Sequence, residues 1–340
     1  MTMELVADKL LATGETLRIW HWNAPKKMPQ RYLSYILASF AELLSNKAYG
    51  CSWTSYICAT AEGKEYPAIK DHWFIADVDG VSAGRLWFSY SAKTGRGNFG
   101  NIETEPIFRR RGILNELLKA FKSVADKCDD MRMLCCSAST DYAADSYRKV
   151  GFDTVNGARV GVMCYCKNGT FKQESEAAFS GDEIVNIRPG ERDDQYDIDK
   201  FLLFQDCIRY NDYHNFIGYA TWFAEFRLIY QEAMNGNGIV MVAENKQGTI
   251  VGYAYALHVN GTPFFNFVCH PAYIRKAEKL LRRTATLFNE KFGLKAHLYC
   301  DEDDAEKIAV AQRAGAEPCA LLPKYMKRGD VWVDVRDFLI

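Results

Sequence analysis

The chain lacks the patterns that mark most metal, redox and nucleotide chemistry. It holds eleven cysteines but no CxxC pair, which argues against a zinc site. The cysteine count is odd, and Cys135, Cys136, Cys164 and Cys166 lie in the apolar runs MLCCSA and VMCYC. They read as small buried hydrophobes of a reduced, cytoplasmic chain rather than as a disulfide framework. The six histidines, His21, His72, His214, His258, His270 and His297, form neither HxxxH nor HExxH, so no metal is expected. No GxSxG or Walker A run occurs. GRGNFG, Gly95 to Gly100, spells GxGxxG but leads into a strand pattern. Dinucleotide binding needs strand, turn and helix, so this stretch reads as a flexible hairpin. A kinase-like glycine loop is also excluded, because no VAIK or HRD follows.

Charge of one sign is missing too. Lysine and arginine number 42 against 43 acids, for a net charge of −1, and the pI is about 6.6. No global basic excess points to nucleic acid. No apolar run is long enough for a membrane. The N-terminal MTMELVADKLLATGE carries acids and does not resemble a signal peptide. The expected partners therefore exclude nucleic acid and membrane. What remains is an ordinary soluble composition, 48% hydrophobic and 25% charged over 340 residues, enough for two domains.

The sequence then reads twice. FIADVDGVSAGRLWFSYS from Phe74 parallels MVAENKQGTIVGYAYALHV from Met241, with Gly84 matching Gly252. EPIFRRRGILNELL parallels HPAYIRKAEKLLRR, with Pro106 matching Pro271. MLCCSASTDYAADSYRKVGF parallels HLYCDEDDAEKIAVAQRAGA, with Gly151 matching Gly315. Three matches at nearly one spacing argue for a duplicated domain. CKNGTFKQESEAAFSGDE, polar and short of strand formers, reads as the join. The expected domains are residues 1–166 and 184–340, with 167–183 as linker. Each half runs from an early strand (LRIWHW; IVNIRP) through a helical stretch and a hairpin to a strand, helix, strand, helix and last strand. Asp79-Gly80 is a hairpin turn by its chemistry. The fold class is α/β, an α+β mixed sheet in each of two tandem domains.

One stretch carries a chemical question. In EPIFRRRGILNELLKAF, Arg109, Arg110, Arg111 and Gly112 stand where a helix begins. Ile113, Leu114, Leu117, Leu118, Phe121, Val124 and Ala125 form its apolar stripe. Cations at a helix N-terminus are unfavourable by about 0.3–1 kcal/mol each. Unpaired N–H groups point outward there, and glycine admits a bulky anion. Together they predict a phosphate or pyrophosphate cradle.

IETEPIFRRRGILNELL resembles the acetyl-CoA-binding signature of the GNAT N-acetyltransferase family, Arg/Gln-x-x-Gly-x-Gly/Ala. Arg109 and Gly112 match; Leu114 stands where the pattern has a small residue. TDYAADSYRKVGF resembles the family's Asn-x-x-Ala-x-x-x-Tyr-x-x-x-Gly-Phe, with Thr140 in place of Asn, then Ala143, Tyr147, Gly151 and Phe152. The likeness covers residues 16–166. It implies two tandem GNAT-like domains and acetyl-CoA as co-substrate. The implied cofactor-binding set is Thr104 (by main chain), Arg109, Arg110, Arg111, Gly112, Ile113, Leu114 and Thr140. Tyr147 falls at the family's general-acid position. A phenol suits that task, because a leaving thiolate of ordinary pKa about 8.5 needs a donor.

Glu103 and Glu105, two apart on one strand, share a face and are candidates for taking the amine proton; the alternative is a solvent-facing strand edge. The second half has Ile274, Ala277 and Ala311 where the first has Arg109, Gly112 and Tyr147. It reads as a degenerate domain that forms part of a pocket or shields the sheet edge. The expected function is acetyl transfer to a small primary amine, by monomer or homodimer. Aromatic-rich helices around Tyr210 to Tyr230 would wall the acceptor pocket. A protein amine, a longer acyl group and a non-catalytic acyl-CoA sensor remain alternatives.

Overall fold

The computed structural model describes residues 3–40, 47–204, 222–259, 261–328 and 330–340. The chain divides into two compact units, Met1–Ser175 and Glu176–Ile340.

The first unit runs β1 (Glu4–Leu10), β2 (Thr16–Asn23), α1 (Gln30–Ala38), α2 (Lys47–Ala61), β3 (Ile69–Val78), β4 (Val81–Ser91), β5 (Arg96–Thr104), α3 (Ile113–Ala125), β6 (Met133–Ala138), α4 (Asp141–Arg148), β7 (Phe152–Thr154) and β8 (Gly161–Cys166), and α5 (Phe171–Ala178) spans the boundary. Its eight-stranded sheet has the order β1-β2-β3-β4-β5-β6-β8-β7. Only β5 and β6 are parallel; the other neighbours are antiparallel. Asp79 and Gly80, both at positive φ, make the two-residue turn between β3 and β4. That is the primed geometry that matches strand twist.

The predicted stripe buries α3 on this sheet. Ile113, Leu117, Leu118, Phe121 and Ala125 are inside, with Leu114 and Val124 at the margin, against Phe74, Leu86, Phe88 and Phe99. Gly84 allows the approach: a Cβ there would lie 2.8 Å from the Glu103 carbonyl and 3.3 Å from Leu117. Cys135, Cys136 and Cys164 are buried and Cys166 is half-buried.

The second unit runs β9 (Asn186–Pro189), α6 (Gln195–Phe204), α7 (Trp222–Met234), β10 (Gly238–Glu244), β11 (Ile250–Val259), β12 (Thr262–Cys269), α8 (Glu278–Phe292), β13 (His297–Asp301), α9 (Ala305–Arg313), β14 (Glu317–Arg328) and β15 (Val331–Leu339). Its sheet order is β14-β15-β13-β12-β11-β10-β9, with one parallel pair, β12 and β13. Matched strand for strand, this repeats β2 to β8 of the first unit.

Three expectations are adjusted. GRGNFG is no flexible hairpin: Arg96 to Gly100 lie inside β5. Gly97 is there because a Cβ would lie 2.0 Å from the Ser89 carbonyl. β1 was not anticipated; it is an edge strand with no fully buried position, so it shows no alternation to read. The polar stretch 167–183 contains α5, and Ala178 and Phe179 beyond Glu176 join the second unit's core. Residues 205–221 of the aromatic-rich stretch lie outside the described residues.

Candidate active site

The parallel ladder between β5 and β6 has only three rungs: Arg96 with Met133, Gly97 with Leu134, and Asn98 with Cys135. β5 continues to Thr104 and β6 to Ala138. Past Asn98 the two strands separate and leave a V-shaped opening in the sheet.

A bulge re-aims the β5 side of that opening. Arg85 faces Glu103 and Trp87 faces Gly100, so Asn101 and Ile102 oppose Leu86 alone. Asn101 takes positive φ. Such a bulge bends its strand and leaves a residue unpaired. The Glu105 N–H donates to the Ala83 carbonyl at 2.9 Å. By antiparallel alternation, the Gly84–Thr104 pair beside it exchanges no hydrogen bonds. The N–H and C=O of Thr104 therefore face away from β4, toward the opening. The Arg109 Nε donates to that carbonyl at 3.0 Å, which leaves the Thr104 N–H as the free backbone donor of the rung.

The RRRG turn stands at the end of β5. Arg110 has φ 64° and Gly112 φ 82°. A non-glycine residue there is strained, and strain of this kind concentrates at functional sites. The space beside Gly112 is open, since a Cβ would meet nothing within 4 Å. Gly112 is the residue before α3 and offers no side-chain cap. The first intrahelical bond is Glu116 N–H to the Gly112 carbonyl, at 3.2 Å. The N–H groups of Ile113, Leu114 and Asn115 thus lack helical acceptors.

The three arginines divide their work. Arg109 clamps the Thr104 carbonyl. Arg111 forms an ion pair with Glu15, donates to the Ile107 carbonyl at 2.9 Å and lies over the Phe108 ring. Arg110 is exposed. Ile113 is a core side chain, so only its backbone N–H reaches the turn.

Tyr147 stands where the V opens. Its ring meets Phe99, the first β5 residue past the last rung, edge-on at 5.5 Å. It also packs on Phe152 at 6.0 Å. Burial pushes its phenol pKa well up, with a further upward push from Cys136, the first β6 residue past the rung. It is 9% exposed. Thr140 caps α4: its hydroxyl accepts from the Ala143 N–H at 3.3 Å. That occupies the side chain and explains a hydroxyl at this position independently of any ligand.

A polar cluster lies on the other face, under α1. Arg85, 6% exposed, forms an ion pair with Glu103, and its guanidinium lies 5.6 Å from the Tyr35 ring centre. Glu103 is thereby neutralised by a buried cation. Burial first, then the neighbouring Glu105 carboxylate, pushes the Tyr35 phenol pKa up against the pull of Arg85. The Arg85 Nε is buried with no partner, and the Tyr35 hydroxyl is buried beside Glu105 and Arg85 without a hydrogen bond of good geometry to either. Each such omission costs about 1–3 kcal/mol. Deeper in, Asp77 accepts from Tyr32 at 2.6 Å, Arg31 at 3.3 Å and Ser82 at 3.1 Å. Sequence reading missed Tyr35 and Arg85. The available signal was an arginine inside the otherwise buried strand run SAGRLWFSYS.

The corresponding turn of the second unit is built differently. Ile274–Lys276 is a short 3-10 helix, and Ala277 is right-handed at φ −74° and leads directly into α8. Arg275 pairs with Glu306 at 3.0 Å, Lys276 with Asp182 at 2.8 Å and Arg282 with Glu278 at 2.7 Å. β12 and β13 again share only a short ladder, Phe264 with His297 and Phe265 with Leu298. A cavity of about 380 Å³ beyond it is lined by Phe267, Cys269, Ile274, Asp303, Asp304 and Glu306. Ala311 is buried where Tyr147 stands in the first unit.

Among the described residues no group of three or more His, Cys, Asp or Glu is arranged to hold a metal. No helix among them is long and apolar enough to cross a membrane.

No family model matches the sequence, and no curated protein matches it. Solved structures similar to part of the chain include a putative acetyltransferase of Salmonella typhimurium with acetyl-CoA. It is 21% identical, over 46% of this chain and 92% of that one, with a TM-score of 0.37. A ribosomal-protein-alanine N-acetyltransferase of Brucella melitensis is 16% identical over 46% and 99%, at 0.39. A GNAT-superfamily phosphinothricin acetyltransferase of Sinorhizobium meliloti with acetyl-CoA is 17% identical over 46% and 88%, at 0.37.

Proposed function

We propose that the chain is an acetyl-CoA-dependent N-acetyltransferase of the GNAT type. In this reading residues 1–166 are the working domain, 167–183 the join and 184–340 a domain that keeps the fold without the cradle. One observation carries it: the Arg110–Gly112 turn, left-handed at both positions, opens an uncapped helix beside a split sheet, and Tyr147 lies where the split begins. The N–H groups of Ile113, Leu114 and Asn115 suit a pyrophosphate, with exposed Arg110 adding charge. The Thr104 N–H suits the acyl carbonyl.

Acetyl-CoA, when bound, supplies the thioester. Tyr147 keeps its proton at any working pH, because its pKa lies above the ordinary range. Full transfer from such a phenol to a thiolate of ordinary pKa about 8.5 is uphill. The role is therefore a hydrogen bond to the departing sulfur, with the proton completed from solvent. Glu105, beside Tyr35 and outside the Arg85 ion pair, is the better acceptor for the amine proton; Glu103 is held by Arg85. A small primary amine is the preferred acceptor. A protein amine, a longer acyl group and a silent acyl-CoA sensor are the competing readings.

Calorimetric titration of the full chain with acetyl-CoA tests the core of this. Binding of one equivalent, lost in Gly112→Trp, supports a single working cradle. Two equivalents would restore function to the second unit. No binding would remove the acetyltransferase reading.

A further inference from the structure

The Arg85 cluster is not needed to hold acetyl-CoA, and it is costly as it stands. Arg85 is buried at the centre of β4 and gives one NH2 group to Glu103. Its Nε–H has no partner, and the Tyr35 hydroxyl, beside the Glu105 carboxylate and the Arg85 guanidinium, makes no hydrogen bond of good geometry to either. Buried polar groups left this way call for an explanation. Both can donate to one oxygen, since a carbonyl carries two lone pairs. The charges around them decide which oxygen. The guanidinium pairs with Glu103, Glu105 stands beside Tyr35, and the Tyr35 phenol stays neutral because burial and Glu105 raise it. A second anion would crowd a cation already matched by Glu103. A neutral carbonyl would not, and an ammonium would balance the carboxylate left over.

Resting on the acetyltransferase reading above, we infer that the acceptor is an α-amino amide: a primary amine one carbon away from a neutral carbonyl. Arg85 Nε and the Tyr35 hydroxyl receive the carbonyl oxygen, and the ammonium lies toward Glu105. Arg85 and Tyr35 set specificity; they position the acceptor and take no part in bond making. The bulge at Asn101 and Ile102 brings this cluster next to Thr104, whose N–H faces the split in the sheet, so an acceptor held here reaches the acyl group from the α1 face.

Three probes of one shape separate the possibilities: leucinamide, leucine and 3-methylbutylamine, assayed as acetyl acceptors with the full chain. Leucinamide should exceed 3-methylbutylamine by at least tenfold in kcat/KM, with leucine below leucinamide. Arg85→Lys keeps a cation opposite Glu103 but removes the Nε–H. It should bring leucinamide and 3-methylbutylamine within about threefold, mainly through KM, and leave acetyl-CoA affinity unchanged. Tyr35→Phe should reduce the same ratio. Equal use of leucinamide and 3-methylbutylamine by the native chain overturns the inference. So does discrimination that survives Arg85→Lys, or acetyl-CoA binding with neither leucinamide turnover nor leucinamide binding. Preference for leucine would replace the carbonyl with a carboxylate and overturn it as well. Failure to bind acetyl-CoA would be a failure of the acetyltransferase reading instead. If Arg85→Lys does not fold, as judged by its melting transition, Tyr35→Phe carries the test.

Discussion

The two units share a strand order and a split parallel pair, yet differ at one turn. In the first, Arg110 and Gly112 adopt left-handed backbone and α3 begins with its N–H groups exposed. In the second, the same point is a continuous right-handed path through Ile274–Lys276 and Ala277, the latter fully buried. The turn before α8 closes on itself, Lys276 donating to Tyr273 at 2.9 Å and Ala277 to Ile274 at 3.0 Å, and α8 then opens with Leu281 donating to Ala277 at 3.1 Å, as α3 opens with Glu116 donating to Gly112. The carboxylates of Asp303, Asp304 and Glu306 line the neighbouring cavity, and Asp304 caps α9 through the Lys307 N–H at 3.1 Å. Under the acetyltransferase reading, the first turn is the one suited to an anion. The two units thus keep one strand order while their turns differ by a handful of backbone dihedrals.

The largest predicted effect attacks the turn itself. Gly112→Trp places a side chain at φ 82° in the path of the ligand. Acetyl-CoA affinity should fall by at least about 100-fold, ~2.7 kcal/mol. Lys276→Trp, on the exposed side of the second turn, should change it less than twofold. Calorimetry of both variants checks the asymmetry; equal losses would mean that the two turns are not distinguished by backbone hand.

Next comes the floor of the split. Tyr147→Phe retains the ring against Phe99 and Phe152 and removes only the hydroxyl. Turnover should fall by about 100-fold with acetyl-CoA affinity unchanged. Steady-state kinetics beside calorimetry separates the two. Unchanged turnover would assign Tyr147 to packing, the role its counterpart Ala311 has in the second unit.

A smaller effect tests how the arginines act. Arg111 is tied to Glu15 and the Ile107 carbonyl, so it shapes the turn more than it faces a ligand. Arg111→Ala should weaken acetyl-CoA by about tenfold, ~1.4 kcal/mol, and Glu15→Ala should weaken it in the same direction. If Arg111 instead served the phosphates directly, removing Glu15 would free it and tighten binding. The sign of the Glu15→Ala effect decides.

How far the sequence shows this depends on what each feature rests on. The α3 stripe, the Asp79-Gly80 turn and the repeated strand order are local, and periodicity reveals them. So is the loss of Gly112 and Tyr147 at Ala277 and Ala311. The split between β5 and β6 is not, because strand runs do not say where a ladder stops. Nor could the letters RRRG show that one arginine clamps a carbonyl, one pairs with Glu15 and one stays exposed. Glu103 and Glu105 looked equivalent at a spacing of two. The difference comes from Arg85 on the adjacent strand, a contact set by the bulge and invisible to any window of sequence.

Acid should also tell the units apart, with the mildest consequence. In the first unit the His21 Nε2 and His72 Nδ1 lie 3.0 Å apart, stacked among Phe74, Phe88 and Tyr90. Burial holds His21 down to about 4, partly opposed by Glu4, and holds His72 well below the ordinary histidine range. In the second unit His270, packed against Phe179 and Tyr273, is held down to about 4 by burial. An unfolded histidine titrates near 6.5. Between that value and 4 the unfolded chain binds more protons than the native one, so stability rises with pH across this window. The contribution is complete above about pH 6.5 and is lost as pH falls toward 4, at up to about 1.4 kcal/mol per pH unit for each histidine. Urea unfolding at pH 7 and pH 5 measures it. His72→Phe, which leaves the stack aromatic and removes the second ring nitrogen facing His21, should flatten the difference more than His270→Phe does. Equal flattening would mean that the paired histidines gain nothing from facing each other, and that burial alone sets the acid sensitivity of both units.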